Sequence, residues 1–249
     1  MSTEFTGLTA LVTGAGSGIG LAVSKALHDA GATVFGLDIQ KGNMAENVMW
    51  IECDVGSTES VKNAFKKISG LTDVIDIVAN NAGIGAVGTV ADATDDEWAK
   101  VMNINVAGIG RVTAAALPFL RKSQSPSVVN TCSIAATAGL PKRAVYSASK
   151  GAVMSLTRAM AADFVHEKIR VNCVNPGTAD TPWVERLLSL AVDPEAEKAA
   201  LEARQPMGRL VSALEVARAI MYLASPNQGS TTGTVLAVDG GMDGLRLSK

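Results

Sequence analysis

Short apolar runs alternate with longer helix-like segments along the chain, and this alternation limits the fold more than any other feature. The runs are nearly continuous in Val, Ile, Leu and Ala, which is typical of strands buried on both faces. Such strands, joined by helices, form a parallel sheet covered on both sides. The predicted strands are Thr9–Val12, Thr33–Leu37, Val48–Glu52, Val74–Ala79, Ser127–Thr131, Arg170–Val174 and Val235–Val238. The predicted helices are Ile19–Ala30, Thr58–Ile68, Asp95–Asn103, Val106–Lys122, Tyr146–His166 and Ala213–Leu223. The sequence therefore predicts a doubly wound α/β sheet of about seven strands.

One stretch, Ala179–Pro206, departs from the alternation. It has prolines at both ends, a charged helical middle and no predicted strand. A segment of this length after the carboxyl end of a late strand is typical of a lid over the ligand edge, and a disordered loop is the alternative. No linker, repeat or composition shift divides the chain, so we expect residues 1–249 to form one domain.

A glycine-rich turn, Thr13–Gly20 (TGAGSGIG), follows the first predicted strand and opens directly into a helix. Glycines let a pyrophosphate approach the free N–H groups of a helix N-terminus. The spacing differs from the commoner Gly-x-Gly-x-x-Gly fingerprint, and a plain strand-to-helix turn is the alternative. The strand before it and the helix after it favour a dinucleotide site of the Rossmann type. The candidate cofactor residues in the turn are Gly14, Ser17, Gly18, Ile19 and Gly20.

Asp38 closes the second predicted strand, where a carboxylate accepts hydrogen bonds from the adenosine ribose and repels a 2′-phosphate. The glycine turn contains no lysine or arginine to hold such a phosphate, and the first cation after Asp38 is Lys41. NAD is therefore favoured over NADP as the cofactor. A turn aspartate without a ligand is the alternative.

Two further groups follow the third and fourth predicted strands and so belong to the same ligand edge. They are Asp54-Val55 and the run Asn80–Gly83, which contributes Asn81, Ala82 and Gly83 as candidate cofactor residues. Amides and small residues are common in turns, so neither group is specific by itself.

The run Tyr146–Lys150 places a phenol and an ammonium four residues apart, on the same side of a predicted helix. A phenol is a poor base at neutral pH unless neighbouring positive charge favours the phenolate. Lys150 and an oxidised nicotinamide ring together would supply that charge. Ser133 lies thirteen positions before Tyr146. Taken singly, each residue has an ordinary structural explanation, but together they indicate an acid–base centre.

With these groups in order, the chain resembles the short-chain dehydrogenase/reductase family over essentially its whole length. The segments that match the family's order and spacing are Thr13–Gly20, Asp54, Asn80–Gly83, Asn105, Ser133, Tyr146-x-x-x-Lys150 and Asn175-Pro176-Gly177. The resemblance implies that Tyr146 exchanges a proton with the substrate hydroxyl while hydride passes to or from the nicotinamide. It implies that Ser133 holds the same oxygen, that Lys150 assists Tyr146 and binds the nicotinamide ribose, and that Asn105 bends a helix and holds a water.

The resemblance also implies which residues touch the cofactor. Ile19 and Asp54-Val55 would bracket the adenine, and Asn81 would touch its ribose region. Pro176, Gly177 and Thr178 would line the nicotinamide.

Three arginines are candidates for holding the substrate. Arg143 precedes Tyr146 by three positions, and Arg186 and Arg204 fall in the lid. The planar guanidinium binds a carboxylate bidentately, so three converging arginines would suit an acid. The alternative is that the lid arginines are solvated or pair with nearby acids, which are Glu185, Glu195, Glu197 and Glu202.

Residues 176–182 and 204–209 resemble one branch of the family. That branch includes type 2 3-hydroxybutyrate dehydrogenases and bacterial dehydrogenases of 2-keto-3-deoxy sugar acids such as 2-keto-3-deoxy-L-fuconate. Arg143, Arg186 and Arg204 match arginines with which the type 2 enzymes bind their acid, whereas Trp183 replaces a residue that is commonly small. We expect an NAD-dependent dehydrogenase of a small, sugar-derived hydroxy acid. The alternatives are a reductase of 3-oxoacyl thioesters, of polyols or of sugars, and a catalytically silent NAD(H)-binding protein.

Other features exclude other classes of function. A formal charge of −2 gives no general attraction to nucleic acid or anionic membranes. No apolar run reaches the roughly 18 residues of a membrane span, and Met1–Gly7 lacks the pattern of a signal peptide. Cys53, Cys132 and Cys173 lack metal-ligand spacing, so we expect no metal, and thiols in buried strands suit a reducing cytoplasm. The resemblance implies a homotetramer that binds a small-molecule substrate.

Overall fold

The centre of the molecule is a parallel sheet of seven strands. The computed structural model describes residues 4–189 and 191–247. The strands are β1 (Thr9–Thr13), β2 (Thr33–Asp38), β3 (Met49–Glu52), β4 (Ile77–Asn80), β5 (Ser127–Thr131), β6 (Arg170–Pro176), β7 (Ala179–Asp180), β8 (Val211–Ser212) and β9 (Val235–Val238). The order in the large sheet is β3-β2-β1-β4-β5-β6-β9, so the direction of winding reverses between β1 and β4. In a doubly wound sheet, this reversal opens a crevice at the carboxyl ends of the strands.

Helices cover both faces of the sheet, which confirms the predicted fold class. They are α1 (Gly18–Asp29), α2 (Thr58–Ile68), α3 (Asp95–Met102), α4 (Gly108–Leu120), α5 (Ala144–Phe164), α6 (Pro182–Ser189), α7 (Pro194–Ala203) and α8 (Ala213–Ala224). A π-helical turn (Asn103–Ala107) joins α3 to α4, and short 3₁₀ turns lie at Ile134–Ala136, Val165–Glu167 and Pro226–Gln228. One hydrophobic core lies between the sheet and α2, α4 and α5, and a second lies between the sheet and α1 and α8.

Strand β1 shows why the apolar runs are continuous. Ala10, Leu11 and Val12 are fully buried. Leu11 belongs to the core on one side of the sheet, whereas Ala10 and Val12 belong to the core on the other side. Because successive side chains point to opposite faces, both faces of a strand covered on both sides favour apolar residues.

Two predicted boundaries were wrong because a side chain or a π turn replaces the regular backbone pattern. The predicted strand Val74–Ala79 begins only at Ile77, because Asp76 Oδ2 accepts the Thr9 N–H at 2.8 Å just before the ladder begins. The helices predicted to be separate at Asp95–Asn103 and Val106–Lys122 are joined through the π turn.

The lid (Ala179–Pro206) contains helices, as predicted, but the prediction that it has no strand was wrong. β7 opens the lid and pairs in parallel with β8, which follows the lid. α6 and α7 pack around a small core of their own formed by Val184, Leu201 and Leu210, with Leu188 packed against it. Leu190 in the lid, and Met1–Thr3 of the segment searched for a signal peptide, lie outside the described residues.

Within the described ranges, no helix combines the length and apolar character needed to cross a bilayer. Cys53, Cys132 and Cys173 are buried free thiols.

A buried arginine joins the far end of the sheet to α8. Arg170, at the start of β6, is 7% exposed. Its guanidinium donates to the carbonyl oxygens of Leu223 at 2.7 Å and Ser225 at 3.0 Å, and also to those of Ala224 and Thr231. The last carbonyls of a helix have no partner within the helix, so Arg170 satisfies the carboxyl end of α8.

Replacing Arg170 with methionine is expected to destabilise the protein by roughly 3 kcal/mol, because it leaves several buried carbonyls without a donor. The midpoint of unfolding in urea, followed by far-ultraviolet circular dichroism, measures the change. Arg218→Met on the exposed side of α8 is the matched control and should shift stability by less than about 0.5 kcal/mol. Equal stability of the two variants would contradict this role of Arg170.

Candidate active site

A cleft of about 660 Å³ opens along the carboxyl edge of the sheet, where the winding reverses. The structure brings most of the sequence-predicted site residues into its wall. They are Gly14, Ser17, Gly18, Ile19, Asp38, Asp54, Val55, Asn81, Ala82, Gly83, Ser133, Arg143, Tyr146, Lys150, Pro176, Gly177, Thr178, Arg186 and Arg204. Two predicted residues, Gly20 and Asn105, are absent from the wall and lie behind it.

The glycine turn packs too closely for side chains at two of its glycines. Gly14 has a φ of +66°, and a Cβ there would lie 2.9 Å from the Cα of Ala82. A Cβ on Gly20 would lie 2.0 Å from the carbonyl oxygen of Gly14. Gly20 therefore supports the turn from behind and lets α1 begin directly against it.

The N-terminus of α1 faces the cleft without an internal cap. Ser17, at the capping position, makes no side-chain capping hydrogen bond, and the first turn of α1 carries no acidic residue. The first N–H groups of a helix need external acceptors and favour negative charge. This end of α1 is therefore suited to a phosphate group.

Thr13 joins the glycine turn to the loop that follows β4. Its Oγ1 accepts the N–H groups of both Asn81 and Ala82, each at 3.0 Å. Sequence analysis placed Thr13 in the motif but gave it no role, because its partners are 68 and 69 positions away.

The carboxylate of Asp38 is fixed at one end of the cleft. Its Oδ2 accepts the Gly16 N–H at 2.9 Å, and Oδ1 accepts the Gln40 N–H at 3.3 Å. A Cβ on Gly16 would meet Asp38 Oδ2 at 3.1 Å and Gln40 O at 2.9 Å, so the glycine is needed for this approach. At the same edge, Asp54 Oδ1 accepts the Gly56 N–H at 2.8 Å, while Val55 is buried.

Tyr146 and Lys150 lie on the same side of α5, as their spacing predicts. Lys150 is 5% exposed, and its Nζ donates to the carbonyl oxygen of Thr131 at 2.8 Å. The same Nζ lies 5.7 Å from the centre of the Tyr146 ring, and a Cβ on Gly83 would be 3.7 Å from it. A buried ammonium thus lies between the phenol and the loop after β4.

Ser133 lies two residues after β5 and caps the start of a 3₁₀ turn. Its Oγ accepts the Ala135 N–H at 3.2 Å, and the residue is 9% exposed. Because Oγ serves as the acceptor in that bond, its own proton can be donated to an oxygen in the cleft.

Asn105 lies in the π turn between α3 and α4 and is 1% exposed. Its Oδ1 accepts the Ile84 N–H at 2.8 Å, and its Nδ2 donates to the Ile84 carbonyl at 2.9 Å and to Ser149 Oγ at 3.0 Å. π turns inside helices are frequent at functional sites. Here the turn lets Asn105 connect the loop after β4 to the helix that carries Tyr146.

The three predicted arginines line the same cleft. Arg143 is half-buried and donates to the Ala86 carbonyl at 3.4 Å, whereas Arg186 and Arg204 are exposed. Burial lowers the pKa of the Arg143 guanidinium, and the nearby charge of Arg204 lowers it further, while Tyr146 and Glu197 act in the opposite direction. In the part of the chain that the structure describes, no carboxylate oxygen lies within 4.0 Å of these guanidinium groups.

Comparison with known proteins identifies the family. A family model described as enoyl-(acyl carrier protein) reductase matches residues 14–243. Dehydrogenase/reductase SDR family member 6 of Rattus norvegicus is 36% identical over 238 residues, covering 94% of this chain and 97% of the relative. The chain belongs to the short-chain dehydrogenase/reductase family.

Other members of the short-chain dehydrogenase/reductase family are similar to this chain in sequence or structure over nearly its full length. A 3-oxoacyl-(acyl-carrier-protein) reductase of Thermotoga maritima is 33% identical over 246 residues, covering 95% of this chain and 98% of the relative. The ligand-free structure of Thermoplasma acidophilum aldohexose dehydrogenase superposes with a TM-score of 0.93 at 32% identity and full coverage of both chains. This short-chain dehydrogenase/reductase is therefore an NAD(P)-dependent enzyme that acts on CH–OH groups or the corresponding ketones.

The site fits the dinucleotide that short-chain dehydrogenases/reductases use. The uncapped N-terminus of α1 and the bare glycine turn suit the pyrophosphate. The buried ammonium of Lys150 faces Gly83 and the Tyr146 ring at the opposite part of the same cleft. The donor set thus matches an extended anionic cofactor along the sheet edge.

Sequence reasoning missed most of the apolar wall of the cleft. Ile39, Ile84, Gly85, Ile104, Leu140, Leu187 and Leu201 line it but belong to no recognised motif. One weak signal was present in the lid, where Trp183, Arg186 and Leu187 are spaced to share one helix face.

Gly20→Ala is expected to abolish dinucleotide binding, because the new methyl group would clash with the Gly14 carbonyl and force the glycine turn open. Titration with NADH, followed by its fluorescence, measures binding, and circular dichroism reports whether the fold persists. Gly229→Ala is the control, since a Cβ there meets no atom within 4 Å and the residue is exposed. Normal NADH affinity in Gly20→Ala would show that the turn does not need this glycine.

Proposed function

We propose that this enzyme oxidises a small hydroxy acid, derived from a sugar, with NAD as the hydride acceptor. The observation that carries the proposal is that Arg143, Arg186 and Arg204 line the cleft that also contains Tyr146. Three guanidinium groups without a carboxylate within 4.0 Å, among the residues described, leave positive charge that a substrate carboxylate would neutralise.

Each catalytic residue has a defined part in this proposal. The bound nicotinamide supplies the acceptor for the hydride that leaves the carbinol carbon. Tyr146 takes the hydroxyl proton from the same carbinol, and Ser133 donates a hydrogen bond to the reacting oxygen and holds it in place. In this proposal Lys150 assists Tyr146, because its buried ammonium lies 5.7 Å from the centre of the Tyr146 ring, and a nearby positive charge favours a negative one. Asn105 fixes the position of the loop after β4 relative to α5 through its hydrogen bonds to Ile84 and Ser149.

The choice of NAD over NADP rests on Asp38. Two backbone N–H groups hold its carboxylate at the cleft wall, so a 2′-phosphate would meet a fixed negative charge there. Ribose hydroxyls, in contrast, can donate to it. Ile19, Asp54 and Val55 line the same cleft, which supports the adenine site that the family resemblance implies.

The lid is the part of the chain that we propose selects the substrate. It contributes Arg186 and Arg204 to the cleft, and its pattern resembles the branch with 3-hydroxybutyrate and 2-keto-3-deoxy sugar-acid dehydrogenases. Within this proposal the enzyme acts in the cytoplasm as a homotetramer. The buried free thiols suit a reducing compartment, and members of the family are commonly oligomeric.

A second candidate function is the reduction of a 3-oxoacyl thioester. It is favoured by the similarity to a 3-oxoacyl-(acyl-carrier-protein) reductase and by the description of the matching family model. A thioester has no free carboxylate, so it would leave the arginine cluster without a ligand. The name of the aldohexose dehydrogenase suggests oxidation of a neutral sugar for that protein. A neutral sugar would also leave the three arginines without a carboxylate to bind. A silent NAD(H)-binding role is disfavoured because Ser133, Tyr146 and Lys150 all face one cleft.

Arg143→Met is expected to lower kcat/KM for the best hydroxy acid by about 30-fold, because it removes a charged hydrogen bond worth roughly 2 kcal/mol. Initial rates of NAD reduction would be measured with a panel of short hydroxy acids and sugar acids, each paired with its methyl ester. The rate with the methyl ester should change little. A wild-type enzyme that prefers the esters would overturn the proposed substrate class.

Tyr146→Phe is the matched control for this experiment. It keeps the ring and removes the oxygen that carries the proton, so acid and ester turnover should fall together. A selective loss in Arg143→Met against a general loss in Tyr146→Phe would separate substrate recognition from chemistry.

Asp38→Asn is expected to raise the NADP/NAD ratio of kcat/KM by about tenfold or more, because it removes a fixed negative charge but keeps an acceptor for the Gly16 N–H. The ratio is measured with one hydroxy acid at saturation. Asp73→Asn, at an exposed position on the surface, controls for the change in net charge. An unchanged ratio in Asp38→Asn would show that this carboxylate does not contact the ribose.

A further inference from the structure

Helix α6 divides its side chains between two surroundings. Val184 and Leu188 belong to the small core of the lid, and Val184 also reaches the cleft wall. Trp183, Arg186 and Leu187 line the cleft, as residues spaced by three and four positions on a helix should. The packing of the lid core therefore sets the orientation in which α6 presents Trp183.

The indole of Trp183 rests on the backbone of Gly85, on the opposite wall of the cleft. A Cβ on Gly85 would lie 2.4 Å from Trp183 Cζ2 and 2.9 Å from Nε1. A side chain at position 85 would displace the ring, so the glycine provides its seat. Trp183 thus spans from the lid to the loop after β4.

The same indole faces the guanidinium of Arg143. Arg143 Cζ lies 5.5 Å from the ring centre, which is within the range of a cation–π contact. The Ala86 carbonyl, next to Gly85, accepts from Arg143 Nη1 at 3.4 Å. An aromatic face and one carbonyl together restrict the plane of the guanidinium while its other N–H groups remain able to bind a ligand.

We infer that Trp183 is a positioning residue that gives the site its preference for acids, by holding the Arg143 guanidinium in the plane in which it binds the substrate carboxylate. The inference rests on the proposed function. The inference adds two contacts to the proposed function: Gly85 leaves room for the indole, and the indole orients the Arg143 guanidinium. It also gives a reason for the indole at a position where the resembling sequences commonly have a small residue.

The test compares wild type, Trp183→Ala, Trp183→Phe and Gly85→Ala. The substrate pairs are 3-hydroxybutyrate with its methyl ester, and D-gluconate with D-glucitol. Trp183→Ala should raise KM for the acid by about tenfold, the order of a cation–π contact, with kcat changed by less than about twofold. The KM for the neutral partner should stay within about twofold of wild type. Trp183→Phe keeps an aromatic face and should recover most of the loss, and Gly85→Ala should reproduce part of it.

A second measurement does not depend on any substrate. Phenylglyoxal modifies accessible guanidinium groups, and mass spectrometry of the Arg143 peptide gives the rate at that residue. Trp183→Ala should raise this rate several-fold, and Trp183→Phe should leave it near the wild-type rate. Modification of the exposed Arg218 provides the internal reference.

The outcomes separate the inference from the proposed function. If wild type prefers the acids and Arg143→Met loses the preference, but Trp183→Ala keeps it, the proposed function stands and the inference is overturned. An equal loss for acids and neutral partners in Trp183→Ala would mean that Trp183 only supports the lid, which also overturns it. If wild type shows no preference for acids, the proposed function itself is wrong and the inference falls with it.

Discussion

Covering a parallel sheet on both faces leaves its edge as the place where polar groups can gather. All seven strands point the same way, so their carboxyl ends open on one side of the molecule. The reversal of winding between β1 and β4 separates the loops there and opens a cleft between them. The buried strands supply rigidity, while the strand ends and the segments that follow them supply Asp38, Ser133 and other groups of the site.

The loop after β4 connects the parts of this site to one another. Thr13 holds its start at Asn81, and Asn105 holds Ile84 through both backbone groups. Its later residues contact the segment before α5, where the Gly88 N–H donates to the Lys142 carbonyl at 3.0 Å. The glycine turn, the π turn and the segment before α5 are therefore all hydrogen-bonded to this one loop. A change in this loop would disturb both ends of the cleft.

The sequence was sufficient for the features that depend on local pattern. Apolar runs predicted the strands of the large sheet, and helical spacing placed Tyr146 beside Lys150. Prediction from the sequence failed where a contact joins distant segments, because such a contact produces no pattern in the local sequence. The hydrogen bond from Thr9 to Asp76 shortened β4, and the seat of Trp183 on Gly85 joins positions 98 residues apart. The family resemblance implied a bend at Asn105, but local pattern did not predict the π turn, because a gap was left between two separately predicted helices there.

The short ladder between β7 and β8 closes off the lid as a segment apart from the large sheet. Ala179–Asp180 and Val211–Ser212 pin the two ends of the lid side by side. The entropy of closing a loop grows only slowly with its length once the ends are fixed. Insertions or exchanges between these two strands would therefore cost the folded sheet little. If the lid selects the substrate as proposed, exchanging this one segment would change the substrate range while Ser133, Tyr146 and Lys150 stay in place.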